Sequence, residues 1–99
     1  MAGKILINFE EMDAAALELD NLERELDALN QRMNALNGRL QLAYEGESAR
    51  AFDSFVNEVA RPNLLRVEDM CRQTALGIRR TLSEFDSADT TLSGTFAGR

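Results

Sequence analysis

The sequence predicts an all-α protein: an antiparallel helix-turn-helix hairpin that assembles into a four-helix bundle with a partner hairpin. Two observations carry this. The first is the run Met12, Ala15, Leu19, Leu22, Leu26, Leu29, Met33, Leu36, Leu40 and Ala43, whose gaps alternate three and four residues without a miss. That is the seam of a helix built to lie along other helices. The second is a later stretch, Leu64, Val67, Cys71, Thr74, Ile78, Leu82 and Phe85, which steps in the same way. Between them only Gly38, Gly46 and Gly77 and the single Pro62 interrupt a chain of good helix formers. Two rods joined by a short turn bury one stripe each. A chain of 99 residues built this way needs a companion to finish its core.

Residues 1–8 read as an N-terminal arm. Asn8 is the expected N-cap of helix 1, about 9–43, with Glu10, Glu11 and Asp13 in the first turn, where the helix dipole favours negative charge. Acidic residues crowd the first half of this helix, from Glu10 to Asp27, while Arg32 and Arg39 hold the second half. This polarity favours an antiparallel neighbour whose ends carry the opposite signs. Ala14, Ala28, Ala35 and Leu42 form a second line of small or apolar residues, expected to widen the stripe for a further helix.

The seam runs in phase past Asn37-Gly38, so the turn is placed at 44–47, where Gly46 can adopt a positive φ. Helix 2 follows, about 48–88. Its first apolar set (Phe52, Phe55, Val56, Val59, Ala60) and its second, from Leu64, differ in phase by one residue. The slip falls at Arg61-Pro62, and a proline kink is expected there. The polar residues from 90 to 99 read as a disordered tail. The residues expected to face the partner hairpin are Leu19, Leu22, Leu26, Leu29, Met33 and Leu36 of helix 1 with Phe52 and Phe55 of helix 2.

Composition excludes several function classes. The net charge is −6 with no basic run, so nucleic acid is not an expected partner. Histidine is absent and Cys71 is the single cysteine. No internal disulfide, CxxC pair, metal-ligand cluster or nucleophile with a base is therefore available, and no glycine-rich phosphate loop is present. The expectation is a non-enzyme with no metal and no cofactor. Ile5-Leu6-Ile7 is too short for a signal-peptide core, and no apolar run approaches the length of a membrane span. Export, if it occurs, is expected by a route that uses no cleaved signal.

Around the turn, Leu42-Ala43-Tyr44-Glu45-Gly46-Glu47-Ser48-Ala49-Arg50-Ala51-Phe52 resembles the WXG family of type VII (Esx) secretion substrates. In that family a Trp-x-Gly turn joins two helices and precedes a small residue and a phenylalanine. Gly46, Ala49 and Phe52 match the pattern, and Tyr44 stands where tryptophan is usual. Phe85-Asp86-Ser87-Ala88-Asp89 is similar to the aromatic-x-x-x-acidic export motif at the C-terminal end of such substrates. Its phenylalanine form resembles the small helical targeting factors that accompany LXG toxins.

The resemblance implies a cytoplasmic protein secreted without a signal peptide, with Phe85 and Asp89 as export motif and Tyr44 and Gly46 as turn motif. It implies a homodimer or heterodimer with a WXG- or LXG-type hairpin, and recognition by the type VII secretion ATPase. The leading expectation is a targeting factor that promotes export of its partner. A self-exported homodimeric substrate and a non-secreted coiled-coil adaptor are the alternatives.

Overall fold

The computed structural model describes the backbone of residues 7–97 and the side chains of residues 7–85. Residues 1–6 of the expected arm and the last two residues of the expected tail lie outside the described residues. The elements are α1 (Phe9–Ala43), α2 (Glu47–Phe55), a π-helical turn (Val56–Ala60) and α3 (Arg61–Ala97). α1 packs along α2, the π turn and α3 as an antiparallel hairpin, which is the all-α hairpin that the two heptad patterns predict.

α1 starts where its capping chemistry says it should. The Asn8 Oδ1 accepts a 3.0 Å hydrogen bond from the Glu11 amide, and Glu10 and Glu11 sit in the first turn. It passes through Gly38, around which there is open space, and ends at Ala43, where Tyr44 turns extended and its amide still bonds the Leu40 carbonyl. α3 stays helical to Ala97, beyond the helix end near 88 that the polar composition predicts. Gly94 is the one strong helix breaker from residue 86 to Ala97, so no proline forces the backbone out of the helix.

The hairpin is one layer thick, measuring 78 × 26 × 15 Å. A helix with its side chains is about 10–12 Å across, so the thinnest dimension is a single layer of helix. Its radius of gyration is 22.0 Å, against about 13 Å for a compact domain of this length. Stable domains pack at least two layers around a core. Both broad faces of this layer are bare.

What holds the two helices together is a thin seam of mostly small side chains, apolar and polar mixed. The buried side chains are Ala16, Ala49, Val56, Cys71 and Ala75, together with Asn30, Asn37 and Glu68. Val56 is the largest that is fully enclosed. On α1 the inner row is Ala16, Glu23, Asn30 and Asn37, every seventh residue, beside Met12, Leu19, Leu26, Met33 and Leu40, which are partly buried. The hairpin thus holds itself with alanines and amides and leaves much of its leucine unburied.

The one-residue phase slip in helix 2 is taken up by the π turn, one turn before Pro62. Val56, Ala60, Leu64 and Glu68 all face inward at successive spacings of four. In an α-helix each such step overshoots a full turn by about 40°, and the inward face would drift off the seam. The π turn inserts one residue and resets the phase; its bond runs from the Arg61 amide to the Val56 carbonyl. The same widening gives room at the proline, whose ring clashes with the preceding turn of a regular α-helix. The kink expected at Pro62 therefore takes the form of a wide turn ahead of it.

Candidate partner-binding face and export motif

The two sides of the hairpin differ in chemistry. On one side the helices are stitched by polar contacts. Arg79 pairs bidentately with Asp20 at 2.6 and 3.2 Å, and Arg72 bridges Glu23 at 3.0 Å and Asp69 at 2.6 Å. The Arg79 hydrogen bond holds the Asp20 carboxyl below its ordinary value, and Asp20 in turn raises Arg79. Nearer the turn, Arg61 Nε donates to Asn30 Oδ1 at 2.7 Å and its Nη1 to Asn34 Oδ1 at 3.0 Å. Asn37 Nδ2 donates to Asp53 Oδ1 at 2.7 Å, and Gln41 Nε2 donates to the Ala49 carbonyl at 2.7 Å. These directed contacts fix the stagger of the helices, which alanines alone specify weakly.

The other side is apolar. Ala15, Leu22, Leu29 and Leu36 recur every seventh residue of α1, and the three leucines are 41, 43 and 53% exposed. Helical geometry puts Val67, Met70 and Thr74 of α3 along the same side, all exposed. Two shallow grooves mark it. One is lined by Ala15, Glu18, Leu19, Leu22 and Glu25, the other by Leu29, Arg32, Met33, Leu36 and Arg39. A contiguous apolar strip with charged borders is the signature of a surface that another protein covers.

The eight residues expected at a partner interface therefore divide. Leu19, Leu26 and Met33 lie partly buried in the seam between the helices, while Leu22, Leu29 and Leu36 stand out from it. Phe52 is partly buried and Phe55 is half exposed. The line Ala14, Ala28, Ala35 and Leu42 lies on the side of α1 turned away from α3 and is exposed; the wider stripe expected there is formed instead by the Leu22 row. Val67 and Met70, absent from the expected set, belong to the same apolar side. A search for exposed apolar residues level with Leu29 on the second helix would have found them.

At the turn the Tyr44 ring lies over Gly46. A Cβ on Gly46 would sit 2.5 Å from the Tyr44 hydroxyl oxygen and 2.6 Å from Cζ. The backbone reason expected for this glycine does not apply: its φ is 172°, extended and open to any residue. The close contact is with the far end of the Tyr44 side chain, so a larger residue here displaces the ring. Tyr44 is the single tyrosine in a chain without tryptophan, so its optical signals are unambiguous. Gly46→Ala should displace the ring, altering tyrosine fluorescence and near-ultraviolet dichroism, and should lower Tm by no more than about 4 °C because Tyr44 is half exposed. Unchanged tyrosine signals would contradict the stacking.

Phe85 is partly exposed on α3, and Asp89 follows one helical turn later in the same backbone helix; the Asp89 side chain lies outside the described residues. Among the described residues no group of carboxylates or cysteine is arranged to hold a metal ion, no helix is long and apolar enough to cross a membrane, and Cys71 is buried.

No curated protein and no solved structure matches the chain. A family model does: WXG100, described as proteins of 100 residues with WXG, matches residues 4–90. Members of that family are small helical proteins, not enzymes, that form dimers with protein partners and leave the cell through the type VII system without a signal peptide. A single-layer helical hairpin with one bare apolar side, matched over nearly its whole length, belongs to the WXG100 family and is a small helical protein of type VII secretion.

Proposed function

We propose that this chain acts in type VII secretion as one half of a two-hairpin complex, and that it steers the complex to the secretion ATPase. The observation that carries this is the apolar side around Leu22, Leu29 and Leu36, which the chain itself leaves half exposed. In the targeting-factor reading, the second hairpin is the N-terminal helical domain of an LXG-type toxin, which the chain keeps soluble and escorts. Tyr44 packed on Gly46 takes the place of the Trp-x-Gly turn at one tip. Phe85 and Asp89, one turn apart near the other end, supply an aromatic anchor and a carboxylate to a receptor groove. No step needs catalysis. A second reading, the self-exported homodimer, is favoured by the order of charges on α1.

The test is secretion. Phe85→Ala with Asp89→Ala should reduce the chain and its partner in culture supernatants at least tenfold, while the purified complex keeps its mass and helicity. Normal export of that variant through an intact type VII ATPase would make Phe85-x-x-x-Asp89 a helix end only. Export of neither chain by a type VII strain, with pairing intact, would leave a non-secreted helical adaptor.

A further inference from the structure

We infer that the polar side of the hairpin carries a binding site of its own, a cleft between α1 and α3 that receives an arginine side chain from a helix of another protein, with Glu68 and Asp27 as the acceptors. The site lies across the hairpin from the Leu22 row and does not rest on the pairing proposed above.

The cleft has a volume of about 550 Å³ and is lined by Asp20, Glu23, Arg24, Asp27, Glu68 and Arg72. Two of its four carboxylates are neutralised within the chain, Asp20 by Arg79 and Glu23 by Arg72. The other two form no ion pair among the described residues. Asp27 accepts a hydrogen bond from the Gln31 side-chain amide at 2.8 Å. Glu68 is only 8% exposed, and its Oε2 is enclosed without a hydrogen-bond partner. An enclosed carboxylate oxygen with no donor is costly to fold around, so its place in the seam calls for one.

The rest of this side shows what kind of donor fits. Arg79 meets Asp20, Arg72 meets Glu23 and Asp69, and Arg61 meets Asn30 and Asn34. A guanidinium closes each of these rungs, and twice it bridges two acceptors. Asp27 and Glu68 stand between the Arg72 and Arg61 rungs with no guanidinium of their own. Arg79 and Arg72 are seven residues apart, and the next residue at that spacing is Leu65. Arg24, the remaining cation at the cleft, donates to Asn21 of its own helix. A planar fork with donors on both edges suits two carboxylates on facing helices better than a point charge does. Among the described residues no group is arranged to hold a metal ion.

Exposed leucines at both ends describe what carries that arginine. Leu65, Asp69, Arg72 and Leu76 recur at helical spacing along one stripe of α3, and the two leucines are 55 and 49% exposed. Asp20, Arg24, Asp27 and Gln31 repeat the same spacing on α1. Two such stripes flanking a cleft form a seat for a helix. Leu65 and Leu76 lie three turns apart, about 16 Å, with Glu68 nearer Leu65. A helix that sets its arginine over Glu68 therefore meets both leucines with apolar residues about three positions to one side and about seven to the other. The net charge of −6 draws such a basic partner from a distance.

N-acetyl-arginine amide is the probe, and its citrulline counterpart, similar in shape but uncharged, is the control. In NMR titrations of the full chain the arginine derivative should shift the amides around Asp27 and Glu68, and should bind about tenfold or more tightly than the citrulline one. Glu68→Gln with Asp27→Asn should abolish that difference with helicity kept. Leu22→Ser, Leu29→Ser and Leu36→Ser together should leave it unchanged, which separates this site from the pairing side. Placing the arginine in a helical peptide, with leucines three positions to one side and seven to the other, should tighten binding about tenfold further. Leu65→Ser with Leu76→Ser should remove that gain.

Equal responses to the two derivatives, or a difference that survives Glu68→Gln with Asp27→Asn, overturn the site and leave water as the donor to Glu68. A Tm lowered by Glu68→Gln and equally by Arg24→Gln overturns it as well, because Arg24 then already supplies the cation. A peptide that binds no better than the single arginine overturns the helical occupant.

Discussion

Leu22→Ser, Leu29→Ser and Leu36→Ser together should produce a folded hairpin that no longer pairs. Each leucine is about half exposed, so burying the remainder contributes about 1 kcal/mol. A two-fold self-pair contains six of them, and their loss should raise the dissociation constant at least a thousandfold. The hairpin should survive because its own contacts lie elsewhere, in Ala16, Asn30, Asn37, Val56, Cys71 and Ala75. The cost to the isolated hairpin is then mainly helix propensity, about 1 kcal/mol for three serines. Sedimentation velocity reports pairing, and far-ultraviolet dichroism reports helix. A triple variant that associates as tightly as the parent would mean that the partner covers some other side.

Deleting Glu58 should be more damaging to the hairpin itself than any single surface substitution. Glu58 is exposed and makes no side-chain hydrogen bond or ion pair among the described residues, but it lies within the turn that carries the extra residue. Without that residue the turn closes to a regular α-helix, and α3 rotates by roughly 100° relative to α2. Cys71 and Ala75 then leave the seam, and Arg61, Arg72 and Arg79 lose Asn30, Glu23 and Asp20. Together these should remove about 3 kcal/mol or more, a Tm decrease above about 10 °C. Glu58→Ala, which keeps the length, should stay within about 0.5 kcal/mol of the parent. Equal Tm values for the deletion and the substitution would show that the π turn does not set the alignment of α3.

The heptad seam of α1 was legible because every seam position from Met12 to Ala43 is apolar. Which part of it closes the hairpin was not. The inner face is turned toward Asn30, Asn37 and Glu23, and amides and carboxylates give no signal in a hydrophobic pattern. Their role appears only once Asp53, Arg61 and Arg72 are brought opposite them. That turn toward polar residues is what frees the Leu22 row for a partner. The phase slip of helix 2 was visible in sequence, but Pro62 drew attention to a kink when a widened turn upstream does the same job.

Gly46 is expected from sequence to take a positive φ, but its φ is 172° and what distinguishes its place is the Tyr44 ring above it. A tyrosine two residues earlier hints at stacking, yet nothing in a sequence says that its ring folds back over the turn. The expected positive φ is simply the commoner cause of a glycine at such a place.

The central claim is that one copy of this hairpin is unfinished, and molar mass in solution tests it most directly. Light scattering on the eluting protein at micromolar concentration should give twice the 11.0 kDa of the chain, or the summed mass of the chain and a co-expressed helical hairpin. A homogeneous 11.0 kDa species at every concentration, unchanged by any helical neighbour, would contradict the account.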